Sequence, residues 1–181
     1  MKIIQLLLLT MSLTLSTAFA VNVDLKASSL EWSGEKVTGD AHMGKITMKK
    51  ASVELKDGKI VKGDFLVDMN SFTVTNLSGE WADKFIGHMK SEDFFTVKKY
   101  PTASLKIKSV KGITATADLT IKGKVSEVNF DLANKDNTHA GVLVFDRTKF
   151  GVIYGSGNFF KGLGDKMIKN DIKIKFKIVT K

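Results

Sequence analysis

From residue 113 the chain alternates strictly. Ile113, Ala115, Ala117, Leu119 and Ile121 interleave with Thr114, Thr116, Asp118, Thr120 and Lys122, which is the two-residue period of a strand with one buried face. The C-terminus repeats the pattern, with Ile172, Ile174, Phe176 and Ile178 on one side and Lys173, Lys175 and Lys177 on the other. Val128, Phe130 and Leu132 form a third such face, and Leu143, Phe145 and Arg147 share one within 142–148. Between apolar runs at 46–56 and 59–69, Asp57-Gly58 is a two-residue hairpin signal, because both central positions of a type I′ turn need positive φ. The phase slips at Lys49-Lys50, as a β-bulge would make it. Strands at 23–26, 30–37 and 102–110 bring the total to roughly eight.

One stretch departs from this period. Trp81, Phe85 and Met89 recur at helical spacing, with Ser78 placed as an N-cap and Glu80 in the first turn. A short helical segment is therefore expected over about 79–93, with Ser91-Glu92-Asp93 opening a second turn. Pro101, the only proline, closes the excursion. There is no linker, repeat or low-complexity segment, so the chain reads as one all-β domain. Antiparallel strands with one apolar face each bury it by closing into a barrel, which also removes exposed edges. A transmembrane barrel would force Thr114, Thr116, Asp118 and Thr120 into a narrow lumen and should carry aromatic girdles. A barrel with its apolar face inward and Lys/Thr outward accounts for both clear strands.

The first twenty residues have another character. Lys2 gives a short positive region, an apolar run follows to Leu15, and Ala18-Phe19-Ala20 is a small-x-small cleavage site. The run is too short to read as a spanning helix. A signal peptide over 1–20 is expected, leaving 21–181, or 181 − 20 = 161 residues, as the mature domain. That predicts a soluble protein outside the cytoplasm, away from ATP and cytosolic nicotinamide cofactors, with the periplasm as its compartment. The absence of cysteine excludes disulfides, lipid attachment through cysteine and thiol chemistry. The formal charge of +9 falls to +8 without Lys2. Its lysines are dispersed, as on a solvated surface; attraction to anionic lipid is the sharper reading, and nucleic acid is not an expected partner.

No catalytic constellation stands out. His139 lies in a polar stretch and reads as a solvated loop residue; His42 and His88 have no HExxH or H-x-H pairing. Gly155-Ser156-Gly157 reads as a turn rather than a nucleophile elbow. A binding function has more behind it. Trp81, Phe85, Met89, Phe94 and Phe95 crowd into fifteen residues, and Phe145, Phe150, Phe159 and Phe160 into sixteen. Beyond what the strands need for a core, such clusters suit an apolar pocket, with Phe130, Leu132 and Leu143 as inward lining. Arg147 is either a rim residue or a buried charge needing a partner. Asp93, Asp146, Asp165 and an anionic ligand head group are the alternatives for that partner, with His88 and His42 as further groups at the mouth.

Several segments together resemble the YceI-like family of small exported lipocalin-like proteins. They are Trp32-Ser33-Gly34-Glu35-Lys36-Val37-Thr38-Gly39, His42-Met43-Gly44, the run Gly87-His88-Met89-Lys90-Ser91-Glu92-Asp93-Phe94-Phe95 leading to Tyr100-Pro101, and Asp146-Arg147-Thr148-Lys149-Phe150-Gly151. Where the family commonly has a Val/Ile-Thr-Lys-Pro turn after Gly123, this chain has Lys124-Val125-Ser126-Glu127. The resemblance implies an eight-stranded lipocalin-like barrel with a helix beside its mouth, an elongated channel and frequent homodimers. It implies a non-catalytic carrier of a polyisoprenoid, isoprenoid quinone or fatty-acyl lipid, with no cofactor; transient contact with a membrane surface is expected from the basic charge. Two other classes stay open: an exported metal-dependent enzyme using His42 and His88, and a filled barrel acting through its basic surface.

Overall fold

The computed structural model describes residues 17–181. The charged start and apolar run of the expected leader lie outside them. Ten strands and one helix follow: β1 (Phe19–Asn22), β2 (Ser29–Glu35), β3 (Ala41–Lys56), β4 (Lys59–Asp68), α1 (Gly79–Lys90), β5 (Thr102–Lys111), β6 (Thr114–Ile121), β7 (Lys124–Asp131), β8 (Ala133–Lys135), β9 (Thr138–Asp146) and β10 (Asp171–Val179). Nine of them form one antiparallel path, β7-β6-β5-β4-β3-β2-β10-β9-β8, and β1 pairs with β3. The path curls until β7 lies against β9, giving a nearly closed barrel. Gly141 on β9 allows that approach: a Cβ there would stand 2.3 Å from the Asp131 carbonyl oxygen at the end of β7.

The alternation sets which face is inside. Ala115, Ala117, Leu119 and Ile121 are buried on β6, and Phe176 and Ile178 on β10, while Lys173, Lys175 and Lys177 face out. The β3–β4 hairpin turns at Asp57-Gly58 with φ of 52° and 71°, and the register shifts between Met48 and Lys50 as the phase slip predicts. Lys122-Gly123, also at positive φ, makes the β6–β7 turn. Residues 124–127 therefore lie in strand β7 and not in the turn that the resemblance placed there.

Three expectations are corrected. Residues 23–26 are not a strand: Asp24 accepts hydrogen bonds from the Lys26 and Ala27 amides and folds the chain into a turn, leaving Val23 with one bridge to Thr180. Ile113 sits in the β5–β6 turn and is exposed. His139 is no loop residue but an inward position on β9, 0% exposed, with Nδ1 2.7 Å from Asn134 Oδ1. The expected cleavage after Ala20 falls within β1, between the Ala20–Glu54 and Val21–Val53 pairs.

Strands β2, β4, β6 and β9 end, and β3, β5, β7 and β10 begin, at the same end of the barrel. Two long excursions, 69–101 and 147–170, leave from that end. The first runs along β3, where Thr73 and Thr75 amides donate to Lys45 and Met43 carbonyls at 3.0 and 2.8 Å. It then forms α1 and returns at Pro101, whose carbonyl accepts from the Met69 amide. Ser78 holds the N-cap position, with extended φ/ψ, but its hydroxyl makes no capping bond. The two excursions meet where the His88 and Phe94 rings pack on Tyr154, at 4.8 and 5.2 Å.

Candidate functional site

Inside the barrel, below the excursions, lies a cavity of about 230 Å3. Its wall is built from the inward phase of the strands. Ala103, Leu105 and Ile107 come from β5, Phe65 and Val67 from β4, and Ile172, Ile174 and Phe176 from β10. Phe85 and Met89 of α1, with Phe72, Phe94 and Phe95, line it from the excursion. Polar lining is confined to the mouth end: Glu35, Lys36, Asp40, His42 and Arg147. At about 25–30 Å3 per methylene-sized group, the space takes on the order of eight such units. A space so lined excludes water and selects for apolar shape.

An aromatic stack supports the excursion. Trp32 on β2 lies between Phe72 at 4.5 Å and Phe85 at 6.1 Å, both rings near parallel to it. Its Nε1 donates to the Thr73 carbonyl at 2.9 Å. Gly44 makes room for this bond, since a Cβ there would stand 1.9 Å from that same carbonyl oxygen. Buried aromatic pairs of this kind contribute about 0.5–1.5 kcal/mol each beyond their area. His42 also packs on Phe85, tilted to it at 4.6 Å.

The candidate lining residues divide. Phe85, Met89, Phe94, Phe95, Phe130, Leu132, Leu143 and Phe145 all face the cavity. Trp81 does not: it is 72% exposed, with the Lys84 ammonium 5.6 Å above its ring. It lies one helical turn from Phe85, and Phe85 takes the inward position. Phe159 and Phe160 are 55% and 43% exposed, because a turn hung on the Ser156 carbonyl carries them outward. Phe150 is buried, yet it packs edge-on behind Phe145 at 5.6 Å and not on the cavity. Trp32 and Phe72 were missed as lining residues. The Leu30, Trp32, Gly34 alternation held the signal for the first; Phe72 had none, since its place depends on how the excursion folds back.

Arg147 continues the Leu143/Phe145 face past the end of β9 and is 2% exposed. Its Nε, Nη1 and Nη2 donate to the carbonyls of Lys169 (3.1 Å), Val152 (2.8 Å) and Ile168 (3.2 Å). Asp93, Asp146 and Asp165, the expected carboxylate partners, make no ion pair with it among the described residues. Burial pushes its pKa down, partly opposed by the nearby Asp146 charge. Held this way, Arg147 staples the 147–170 excursion to the barrel end. His88 lies on the outer side, its Nε2 3.1 Å from Asp93 Oδ2, and does not line the cavity. No bond or ring contact joins it to His42 among the described residues, and no group of three or more His, Asp or Glu there is placed to hold a metal. The two histidines serve separate surroundings.

The YceI-like domain model matches residues 21–180, nearly the whole described chain. The chain belongs to the YceI-like family. This YceI-like chain is similar in fold to BcnA of Burkholderia cenocepacia, at 23% identity and a TM-score of 0.64 over 88% of this chain and 100% of that one. A polyisoprenoid-binding domain from Saccharophagus degradans, implicated in plant cell wall breakdown, matches at 14% identity and TM-score 0.59, over 88% and 97%. The Campylobacter jejuni YCEI protein matches at 18% and 0.52, over 76% and 84%. No curated protein matches by sequence. At these identities the solved structures establish the fold of the YceI-like chain, and its own residues must carry the rest.

Proposed function

We propose that this protein is a non-catalytic periplasmic carrier that holds a long apolar chain, of polyisoprenoid, isoprenoid-quinone or fatty-acyl type, inside the barrel. The supporting observation is the apolar cavity of about 230 Å3, whose polar lining is gathered at one end. At about 0.8 kcal/mol per buried methylene, eight units give a gross gain of about 6 kcal/mol. Ordering and association offset about 4 kcal/mol or more of this, so a chain of eight units binds weakly and a longer one gains by widening the cavity. The wall sets chain length and girth, and the mouth sets which head is tolerated. The likeness to a polyisoprenoid-binding domain favours an isoprenoid as occupant. Such a carrier serves transport, storage or protection of the lipid under envelope stress, and its work requires no reaction.

The test is mass spectrometry of an organic extract from protein purified out of its native envelope fraction. A stoichiometric lipid supports the proposal and names the ligand class. Protein that comes out empty and takes up no long-chain probe after delipidation overturns it.

A further inference from the structure

Water-exposed aromatic side chains are uncommon on a soluble barrel, and here their placement is uneven. The exposed aromatics are Phe19, Trp81, Tyr154, Phe159 and Phe160. Phe19 precedes the expected cleavage site; the other four all lie on the two excursions at the mouth end. Trp81 and His88 are seven residues apart on α1, hence on one helix face about 10 Å apart along the axis. His88 touches Tyr154 at 4.8 Å, which places the Tyr154–Phe160 turn beside that face. The exposed residues around Phe159-Phe160 include Lys161 and Lys166; within 147–170 Arg147 is buried and Lys169 pairs with Glu35, which leaves Lys149, Lys161 and Lys166 against one acid, Asp165. On the helix side the charges balance, for example Glu80 with Lys84 at 2.7 Å.

We propose that the mouth end of the barrel docks on an anionic lipid bilayer, with Phe159, Phe160 and Trp81 entering the interface and Lys161 and Lys166 meeting acidic head groups. Amphipathic aromatics favour the interfacial region, and nearby lysines are drawn to anionic surfaces. The positive glycine φ values at Gly162 and Gly164 let the basic turn stay short and outward-facing. A contiguous exposed apolar patch marks an interaction surface, and the charge around this one selects a negative partner. The docking face lies at the same end of the barrel as the cavity mouth, which shortens the path of a lipid between bilayer and barrel. Its purpose rests on the carrier reading; its existence does not.

The experiment uses exported protein whose intact mass shows residues 1–20 removed, delipidated, with vesicles of phosphatidylcholine alone or mixed 7:3 with phosphatidylglycerol. Trp32 lines the cavity and Trp81 is exposed, so the part of a blue shift of tryptophan emission that is lost in Trp81→Phe reports Trp81. Expected are a blue shift and cosedimentation with the mixed vesicles at low salt, at least tenfold weaker on phosphatidylcholine alone. Phe159→Ser/Phe160→Ser should weaken binding tenfold or more, and each of Lys161→Gln and Lys166→Gln on the order of fivefold, with melting temperatures near wild type. Should the double variant melt early, quenching of wild-type Trp81 by brominated lipid, lost in Trp81→Phe, reads insertion directly. Equal binding to both vesicles, no blue shift, or unchanged binding by the folded double variant overturns the proposal. So does a dimer that the double variant breaks while vesicle binding stays the same, because a second copy then covers the patch. Uptake of palmitate from detergent, measured separately, shows whether the carrier reading fails or stands alone.

Discussion

Ala103 is the smallest side chain among the bulky residues of β5 and β4 that line the cavity, and it lies at the mouth end of β5, opposite Val67. Ala103→Phe adds six carbons there. Of the eight or so methylene-sized units the cavity takes, about three quarters would be filled from the mouth side. A long chain would lose on the order of six buried methylenes, about 5 kcal/mol, or roughly three powers of ten in Kd. The fold should survive, because burying the ring contributes about 1.5–3 kcal/mol while overpacking costs about 1–3 kcal/mol. Calorimetry with palmitate, and NMR titration with the weaker decanoate, give the two affinities, and a thermal melt checks the fold. The expected result is loss of palmitate and decanoate binding together. If folded Ala103→Phe binds palmitate as the wild type does, the chain does not lie in this cavity.

Other consequences follow from single contacts. Phe145→Trp narrows the channel from β9 and should exclude long chains at a cost of roughly 1–3 kcal/mol in stability, measured by urea unfolding. Arg147→Met removes donors from three backbone carbonyls and should cost about 3–5 kcal/mol; binding of anionic and neutral probes with the same tail should weaken equally, and selective loss of the anionic one would restore a head-group role. His139 is buried with its pKa pushed down by desolvation, so the unfolded chain takes up its proton first as pH falls. Its contribution to stability is complete above about pH 6.5 and is lost progressively below it; His139→Gln should flatten the fall between pH 7.5 and 5.5, and an unchanged slope refutes this. Intact mass should show cleavage after Ala20, with the product soluble without detergent, since Val21–Val53 and Asn22–Ser52 pairing survives the cut; retention of the first twenty residues refutes it.

What the sequence made legible was what has a local cause. Period-two alternation announced β6, β7 and β10, because each strand needs only to know which face is wet. Asp57-Gly58 announced its turn through the φ values it tolerates. His139 was misjudged for the complementary reason. Its neighbours Asn134, Lys135, Asp136 and Asn137 are polar, as a turn between β8 and β9 must be, yet the ring points inward and meets Asn134 across that turn. Polarity of neighbours describes the hairpin end and not the strand that begins directly after Asn137.

The aromatic clusters show the same limit in a form that bears on function. Trp81 and Phe85 are one helical turn apart and equally apolar, but Phe85 stacks toward Trp32 while Trp81 stands in solvent. Phe145 lines the cavity while Phe150 packs behind it. Composition counted all four as pocket, since hydrophobicity measures the tendency to leave water and not the surface that receives the side chain. Three destinations exist here: the closed core, the cavity wall and the exposed rim. They differ only in long-range geometry, in the fold-back of 69–101 along β3 and in the staple that Arg147 makes through three carbonyls. Hollow and filled barrels likewise demand the same inward residues, and a small side chain such as Ala103 among large ones is as compatible with tight packing as with a void. The division of the aromatics into wall and rim is what gives one end of this barrel both an apolar interior and an apolar exterior, joined at the mouth by Phe85, Met89 and Phe94.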